Sequence, residues 1–107
     1  GMGDLNVEGL DAEEPEDLLP GEVALYQNYP NPFNPTTTIS FTLPRASEVR
    51  LEIYNTLGQL VDEHDLGTLS VGDQAIEYDA STRSSGVYLY RVVSEYGAEA
   101  RKMVLVR

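Results

Sequence analysis

The 107-residue chain has the length of one domain, and its 18 acidic residues against seven basic ones give a formal net charge of −11. Such a chain repels phosphate backbones and anionic lipid surfaces, which argues against nucleic acid as a partner and against direct membrane insertion. No apolar run approaches the ~20 residues that span a bilayer. The absence of cysteine excludes disulfides, thiolate metal sites and cysteine nucleophiles.

The negative charge is concentrated at the amino-terminal end. Residues 1–22 contain eight acids and no base, whereas residues 23–107 contain ten acids and seven bases. Residues 1–21 show no sustained hydrophobic period, so we predict a flexible acidic linker followed by one domain over residues 22–107. The acidic run 11–17 lacks the glycine and the alternating Asp/Asn spacing of a calcium loop, and no metal site is expected.

The domain is predicted to open with a strand over residues 23–28, followed by a proline-rich block. Pro30, Pro32 and Pro35 lack backbone donors and have a fixed φ, so this block cannot be a central strand. We expect an extended or turning segment at a sheet edge, from which the side chain of Phe33 reaches the core.

Strict alternation of apolar and polar residues predicts the next two strands, over residues 36–43 and 48–54. Arg50 and Glu52 are expected on the outward face of the second strand. A turn is expected at residues 55–58. The predicted inward residues are Ile39, Phe41, Leu43, Val49, Leu51 and Ile53.

The second half of the chain contains four further predicted strands. Residues 59–66 have a mixed pattern typical of an edge strand, and residues 74–79 form the next strand. Residues 87–93 are apolar or aromatic on both faces and predict a central strand, and residues 100–106 close the domain. About seven short strands favour an all-β, immunoglobulin-like sandwich of antiparallel strands, with an up-and-down barrel as the alternative.

Side chains suited to catalysis are few. His64 is the single histidine, and Glu63 and Asp65 point to the opposite face because adjacent strand residues alternate, so a solvated surface histidine is expected. Tyr88 and Tyr90 share one face of a strand and could form a sugar-binding platform. The apolar residues on the other face of that strand favour core packing instead. We therefore expect neither an enzyme nor a cofactor.

Three blocks of the sequence resemble the type A carboxy-terminal sorting domains of the type IX secretion system, the Por secretion tail family of Bacteroidota and related bacteria. Residues 25–41, which contain Tyr-Pro-Asn-Pro-Phe-Asn-Pro, resemble the opening of these domains. Residues 55–61 resemble their glycine-containing middle block. Residues 85–91 followed by 101–107 resemble their ending. The resemblance implies a fold related to the immunoglobulin-like domain of the flagellar hook-capping protein.

Two residues depart from the family pattern. Arg83 stands where an apolar residue is common, and a looser loop is expected there. Arg107 ends the chain where lysine is frequent, which keeps the charge but changes the geometry of its contacts.

The resemblance implies a secretion signal that directs a larger cargo protein through the periplasm to the cell surface or medium. It implies recognition by the outer-membrane translocon and removal by a sortase-like peptidase, which we expect to cut within the exposed residues 1–21. The recognition residues that it implies are Pro30, Asn31, Pro32, Phe33, Gly58, Gly86, Val87, Tyr88, Lys102, Val104 and Arg107.

The final strand, residues 100–107, is a natural edge for strand addition by a receptor, with Lys102 and Arg107 setting the register. The same edge could join two copies into a homodimer. The alternative functions are a carbohydrate-binding module or a structural immunoglobulin-like module of a secreted hydrolase. The absence of tryptophan counts against carbohydrate binding.

Overall fold

The computed structural model describes residues 22–107. The predicted acidic linker, its acidic run and the expected cleavage segment lie outside the described residues, and the predicted domain boundary stays a prediction. The described chain forms seven strands, which are β1 (Ala24–Leu25), β2 (Thr36–Leu43), β3 (Ser47–Tyr54), β4 (Leu60–Leu69), β5 (Gly72–Asp79), β6 (Gly86–Ser94) and β7 (Gly97–Leu105).

The strands form two sheets that face each other. One sheet has the order β1-β2-β5 and the other the order β4-β3-β6-β7, and every pairing is antiparallel. The sandwich prediction is confirmed, and the barrel is excluded because β4 and β5 end their sheets without pairing with each other. Among the described residues, no helix is long and apolar enough to cross a membrane.

The core lies between the sheets and is built from the inward positions of the alternating strands. β2 has the predicted bounds, and β3 begins one residue earlier than predicted. All six predicted inward residues of these strands are buried, together with Tyr78, Tyr90, Val92, Met103 and Leu105. The alternation rule therefore assigned the core faces of β2 and β3 correctly.

The opening strand was predicted too long. Only Ala24–Leu25 forms β1, paired with β2. The pairing stops because Asn28 turns into the core, where it is 2% exposed and its backbone N–H donates to the Tyr90 hydroxyl at 2.9 Å. The chain then returns to β2 through a single bridge between Tyr29 and Thr38.

β6 is a central strand, as predicted, and lies between β3 and β7, but only one of its faces is buried. Tyr88 and Tyr90 lie in the core, whereas Val87 and Leu89 are 37% and 41% exposed on the other face. The second sheet covers only the inner side of the strand, which is why the expected burial on both faces is wrong. The buried rings of Tyr88 and Tyr90 cannot form a sugar-binding platform.

Tyr88 also makes a contact typical of immunoglobulin-like folds. Its hydroxyl donates to the carbonyl of Ser84, four residues earlier, at 2.7 Å. A tyrosine that bonds back to the backbone just before its own strand is the tyrosine corner of such sandwiches. This contact anchors the loop before β6 to the core and supports the immunoglobulin-like assignment.

Glu52 lies on the outward face of β3, as predicted, yet it is only 6% exposed. Its carboxylate accepts hydrogen bonds from the Tyr54 hydroxyl at 2.7 Å and from the guanidinium groups of Arg50 and Arg91 at 2.9 Å each. The Tyr54 bond, together with the two arginines, lowers the pKa of Glu52 below its ordinary value. The outer face of the sheet thus holds a buried and fully paired charge.

This network makes the stability of the fold pH-dependent. A carboxylate with a lower pKa in the folded chain stabilises it above the unfolded pKa, and the contribution is lost as the pH falls through the folded pKa. We expect Glu52→Gln to lower the free energy of unfolding by about 1–3 kcal/mol at pH 7. The difference should shrink below about pH 4.3, the ordinary pKa of glutamate.

Urea unfolding of wild type and variant between pH 3 and pH 7 measures this difference. Glu63→Gln is the matched control, because Glu63 also pairs with Arg50 but is 47% exposed in its side chain. We expect an effect below about 1 kcal/mol for this control. A Glu52→Gln difference that stays constant across the pH range would contradict the assignment.

Candidate recognition site at the end of β7

The segment of residues 27–33, here called the clamp, runs along the outer edge of β7. The Phe33 N–H donates to the carbonyl of Val104, and the Val106 N–H donates to the carbonyl of Phe33, both at 2.9 Å. The Asn31 side-chain oxygen accepts the N–H of Val104 at 3.0 Å, and the Gln27 side-chain amide donates to the carbonyl of Lys102 at 2.8 Å. The clamp therefore forms hydrogen bonds with the outward backbone groups of the second half of β7.

Phe33 fastens the clamp to the core. Its side chain is 1% exposed, which confirms the prediction that it reaches inward, while Pro30, Asn31 and Pro32 remain on the surface. The prolines have no N–H to donate, so the backbone donor at Phe33 is one of few that this segment offers to β7.

β7 is an edge strand of its sheet, as predicted, but it is not a free edge over residues 100–107. In an antiparallel edge strand every second residue points its backbone groups away from the sheet. The clamp binds these groups at Lys102, Val104 and Val106, which leaves Ala98 and Ala100 to extend the sheet. Strand addition along the end of β7 would have to displace the clamp.

Arg107 folds back onto the loop before β6. Its guanidinium donates to the carbonyl of Ser81 at 2.9 Å and to the carbonyl of Arg83. Arg83 in turn donates to the carbonyl of Val61 in β4 at 2.6 Å. The expectation that Arg83 loosens this loop is therefore wrong, because its guanidinium ties the loop to a neighbouring strand.

The single histidine lies on β4 beside one carboxylate. The His64 Nε2 lies 3.3 Å from an oxygen of Asp62, two residues away on the same face, and its side chain is 48% exposed. Asp62 also accepts the hydroxyl of Tyr78 at 3.0 Å. Burial, together with this bond, raises the pKa of Tyr78, so the phenol keeps its proton. Within residues 22–107 no group of His, Asp and Glu could hold a metal ion.

The predicted glycines lie at turns and strand ends. Gly58 has a φ of 82°, in the left-handed region that disfavours other residues, and its N–H closes the turn onto the carbonyl of Asn55 at 3.0 Å. Gly86 begins β6 opposite Leu105. Gly58 and Gly86 define a turn and a strand end, and Tyr88 lies in the core, so all three predicted site residues have structural positions.

Three other predicted residues meet on the outer face of the four-stranded sheet. Val87 pairs with Val104, and the neighbouring row across the sheet runs through Leu60, Tyr54, Leu89 and Lys102. Residues directly opposite in a ladder share a face, so these rows form one surface. We call its apolar members the outer patch: Tyr54, Leu60, Val87, Leu89 and Val104.

The family model described as the secretion system C-terminal sorting domain matches residues 27–106. The chain belongs to this family. Its members are the carboxy-terminal signals of proteins that the type IX system exports to the cell surface or the extracellular space, and they are not an enzyme family. Membership implies interaction with the type IX secretion machinery. No curated protein matches the sequence.

The sorting domain brings some of its predicted site residues together and separates others. The first group lies at the end of β7 and comprises Asn31, Phe33, Val87, Lys102 and Val104, with Arg107 beyond it. Gly58 lies in the distant turn between β3 and β4. The predicted set missed three residues of the outer patch, namely Tyr54, Leu60 and Leu89, because the apolar face that Val87 and Leu89 share was assigned to core packing.

Proposed function

We propose that the type IX translocon recognises this sorting domain through side chains at the end of β7, which the clamp holds in place. The observation that supports this is the set of hydrogen bonds between the clamp and the backbone of Val104 and Val106. Because the clamp already forms hydrogen bonds with these backbone groups, a partner can contact only the side chains there. Recognition by shape and charge therefore replaces the strand addition expected from the sequence.

The predicted recognition residues then divide into two roles. Lys102, Val104, Arg107 and Val87 are partly or fully exposed, and we assign contact with the translocon to them. The surface residues Pro30, Asn31 and Pro32 of the clamp lie beside these side chains, and we assign them to the same contact surface. The remaining residues, Phe33, Gly58, Gly86 and Tyr88, act by maintaining the fold that presents the contacting side chains.

Removal of the domain by a sortase-like peptidase is the second part of the proposal. A protease needs an extended chain that is not paired in a sheet, and residues 22–107 form the paired strands of the domain, so we place the cut within residues 1–21, which precede β1 in the sequence. Mass spectrometry of the released cargo from a competent host would identify the new carboxy terminus. A cut beyond residue 21 would contradict this assignment.

Export of a reporter tests the recognition surface. Residues 23–107 are fused to a periplasmic reporter. Deleting residues 102–107 would also remove Met103 and Leu105 from the core. The informative change is therefore the double substitution Lys102→Ala and Arg107→Ala. We expect surface-exposed reporter to fall about tenfold, the effect of losing ~1.4 kcal/mol of binding free energy. The reporter should accumulate in the periplasm.

Arg45→Ala provides the control, because Arg45 is an exposed cation in the loop between β2 and β3. We expect this variant to be exported like the wild type. Thermal unfolding of the isolated domains verifies that the double variant is folded. Normal export of a folded double variant would refute side-chain recognition at this end of β7.

The other proposed partner is a second copy of the chain, joined through an edge strand. On β7 such a contact would rest on Ala98 and Ala100. On β4 it would meet Asp62, Glu63 and Asp65, charges that discourage edge pairing. The edge dimer stays a prediction.

A further inference from the structure

The outer patch is an apolar surface on the solvent-exposed face of the four-stranded sheet. Leu60, Leu89 and Val87 are 49%, 41% and 37% exposed, and they lie with Tyr54 and Val104 in two adjacent rows. An antiparallel sheet with one solvated face normally alternates apolar inside with polar outside. A contiguous apolar area at this place therefore indicates an interaction surface.

The charges that border the outer patch have opposite signs on its two sides. Lys102 ends the row on β7, while Glu63 and Asp65 lie on the same outer face of β4 at the opposite edge. No lysine or arginine occurs between residues 60 and 82, and no acid occurs between residues 100 and 107. The face thus carries a base at one edge and acids at the other.

We propose that a second copy of this chain packs on the outer patch, face to face, around a two-fold axis parallel to the strands. Such an axis places β7 of one copy over β4 of the other. Lys102 of each copy then faces the Leu60 and Glu63 end of its partner, and the apolar rows stack at the centre. A two-fold interface needs a self-complementary surface, and the opposite borders of this face provide it.

The charged rows of the same face agree with this arrangement. The next row runs through Glu63, Glu52, Arg91 and Ala100. Reversal about the axis sets Arg91 of one copy over Glu52 of the other, and ion pairs within each copy already compensate the charges of Glu52 and Glu63, so this row does not oppose the contact. The pairing covers Lys102 and Val104 in both copies, so a paired domain cannot present these side chains to the translocon.

Sedimentation of the full chain from about 1 µM to about 1 mM, the affinity range of small interfaces, tests the pairing. We expect reversible dimerisation that Leu89→Asp weakens at least tenfold, because it places a charge at the centre of the contact. Val71→Asp is the control, since Val71 is 61% exposed in the loop between β4 and β5. This control should dimerise like the wild type.

A charge-swap mixture tests the orientation. Lys102→Glu leaves acids at both edges, and Glu63→Lys combined with Asp65→Lys leaves bases at both edges, so each variant alone should dimerise less than the wild type. An equimolar mixture should restore dimers, because the opposite edges of the two variants match. Circular dichroism verifies that each variant is folded.

Three outcomes would overturn the proposal. They are a monomer at every concentration, a dimer that tolerates Leu89→Asp as an edge-strand pair would, and a mixture that does not recover dimerisation. None of these results bears on export by the single copy. Failure here and failure of side-chain recognition by the translocon are therefore distinguishable.

Discussion

Replacing Phe33 by alanine should lower the free energy of unfolding by about 3–5 kcal/mol, the usual cost of emptying a buried phenylalanine site. The ring is 1% exposed, and it belongs to the single hydrophobic core of the described chain. The same residue forms both backbone bonds that join the clamp to β7. We therefore expect the variant also to release the clamp from Lys102, Val104 and Val106.

Urea unfolding measures the stability, and amide hydrogen exchange at Val104 and Val106 reports on the clamp. Tyr29→Ala is the matched control: it removes an aromatic ring from the same proline-rich block, but this ring is 80% exposed. We expect a change within about 0.5 kcal/mol for the control. If the two variants lose similar stability, Phe33 does not anchor the clamp.

Local patterning was sufficient to predict most of the fold. β2 and β3 alternate strictly, so their bounds and inward faces followed from the period of two. The mixed pattern over residues 59–66 correctly indicated an edge strand. Phe33 could be assigned to the core because a large apolar residue stands among prolines that exclude a regular strand.

The parts that could not be predicted depend on partners that are distant in sequence. β1 is short because Asn28 bonds to Tyr90, 62 residues later. The edge of β7 is closed because Asn31 reaches Val104, 73 residues later. Neither contact can be recognised from the neighbouring sequence, because an asparagine near prolines is equally typical of a turn.

The outer patch illustrates the same limit at the site. The apolar residues on both faces of β6 were interpreted as a strand buried on both sides, because the period of two cannot say how many layers a fold has. The structure has two layers, so one of those faces is exposed. Val87 and Leu89, which were assigned to the core, therefore lie on the surface.

Tyr90→Phe should destabilise the domain although it removes a single oxygen. The hydroxyl donates to the carbonyl of Tyr26 at 2.7 Å and accepts the N–H of Asn28 at 2.9 Å, and thereby joins the two sheets. Burial raises the pKa of Tyr90, so the phenol remains a donor at neutral pH. A buried backbone group left without its partner costs about 1–3 kcal/mol, which applies to the Asn28 N–H, and the partly buried Tyr26 carbonyl adds less.

Tyr29→Phe is the control for Tyr90→Phe, because it removes an exposed phenol from the same part of the fold, and we expect it to be neutral within about 0.5 kcal/mol. Hydrogen exchange separates the physical cause from general loosening. In Tyr90→Phe the amide of Asn28 should lose protection more than the amides of β3, which pair within one sheet. Wild-type stability in this variant would mean that the strand pairs and the apolar core alone join the amino-terminal segment to β6, and that this hydroxyl is not needed.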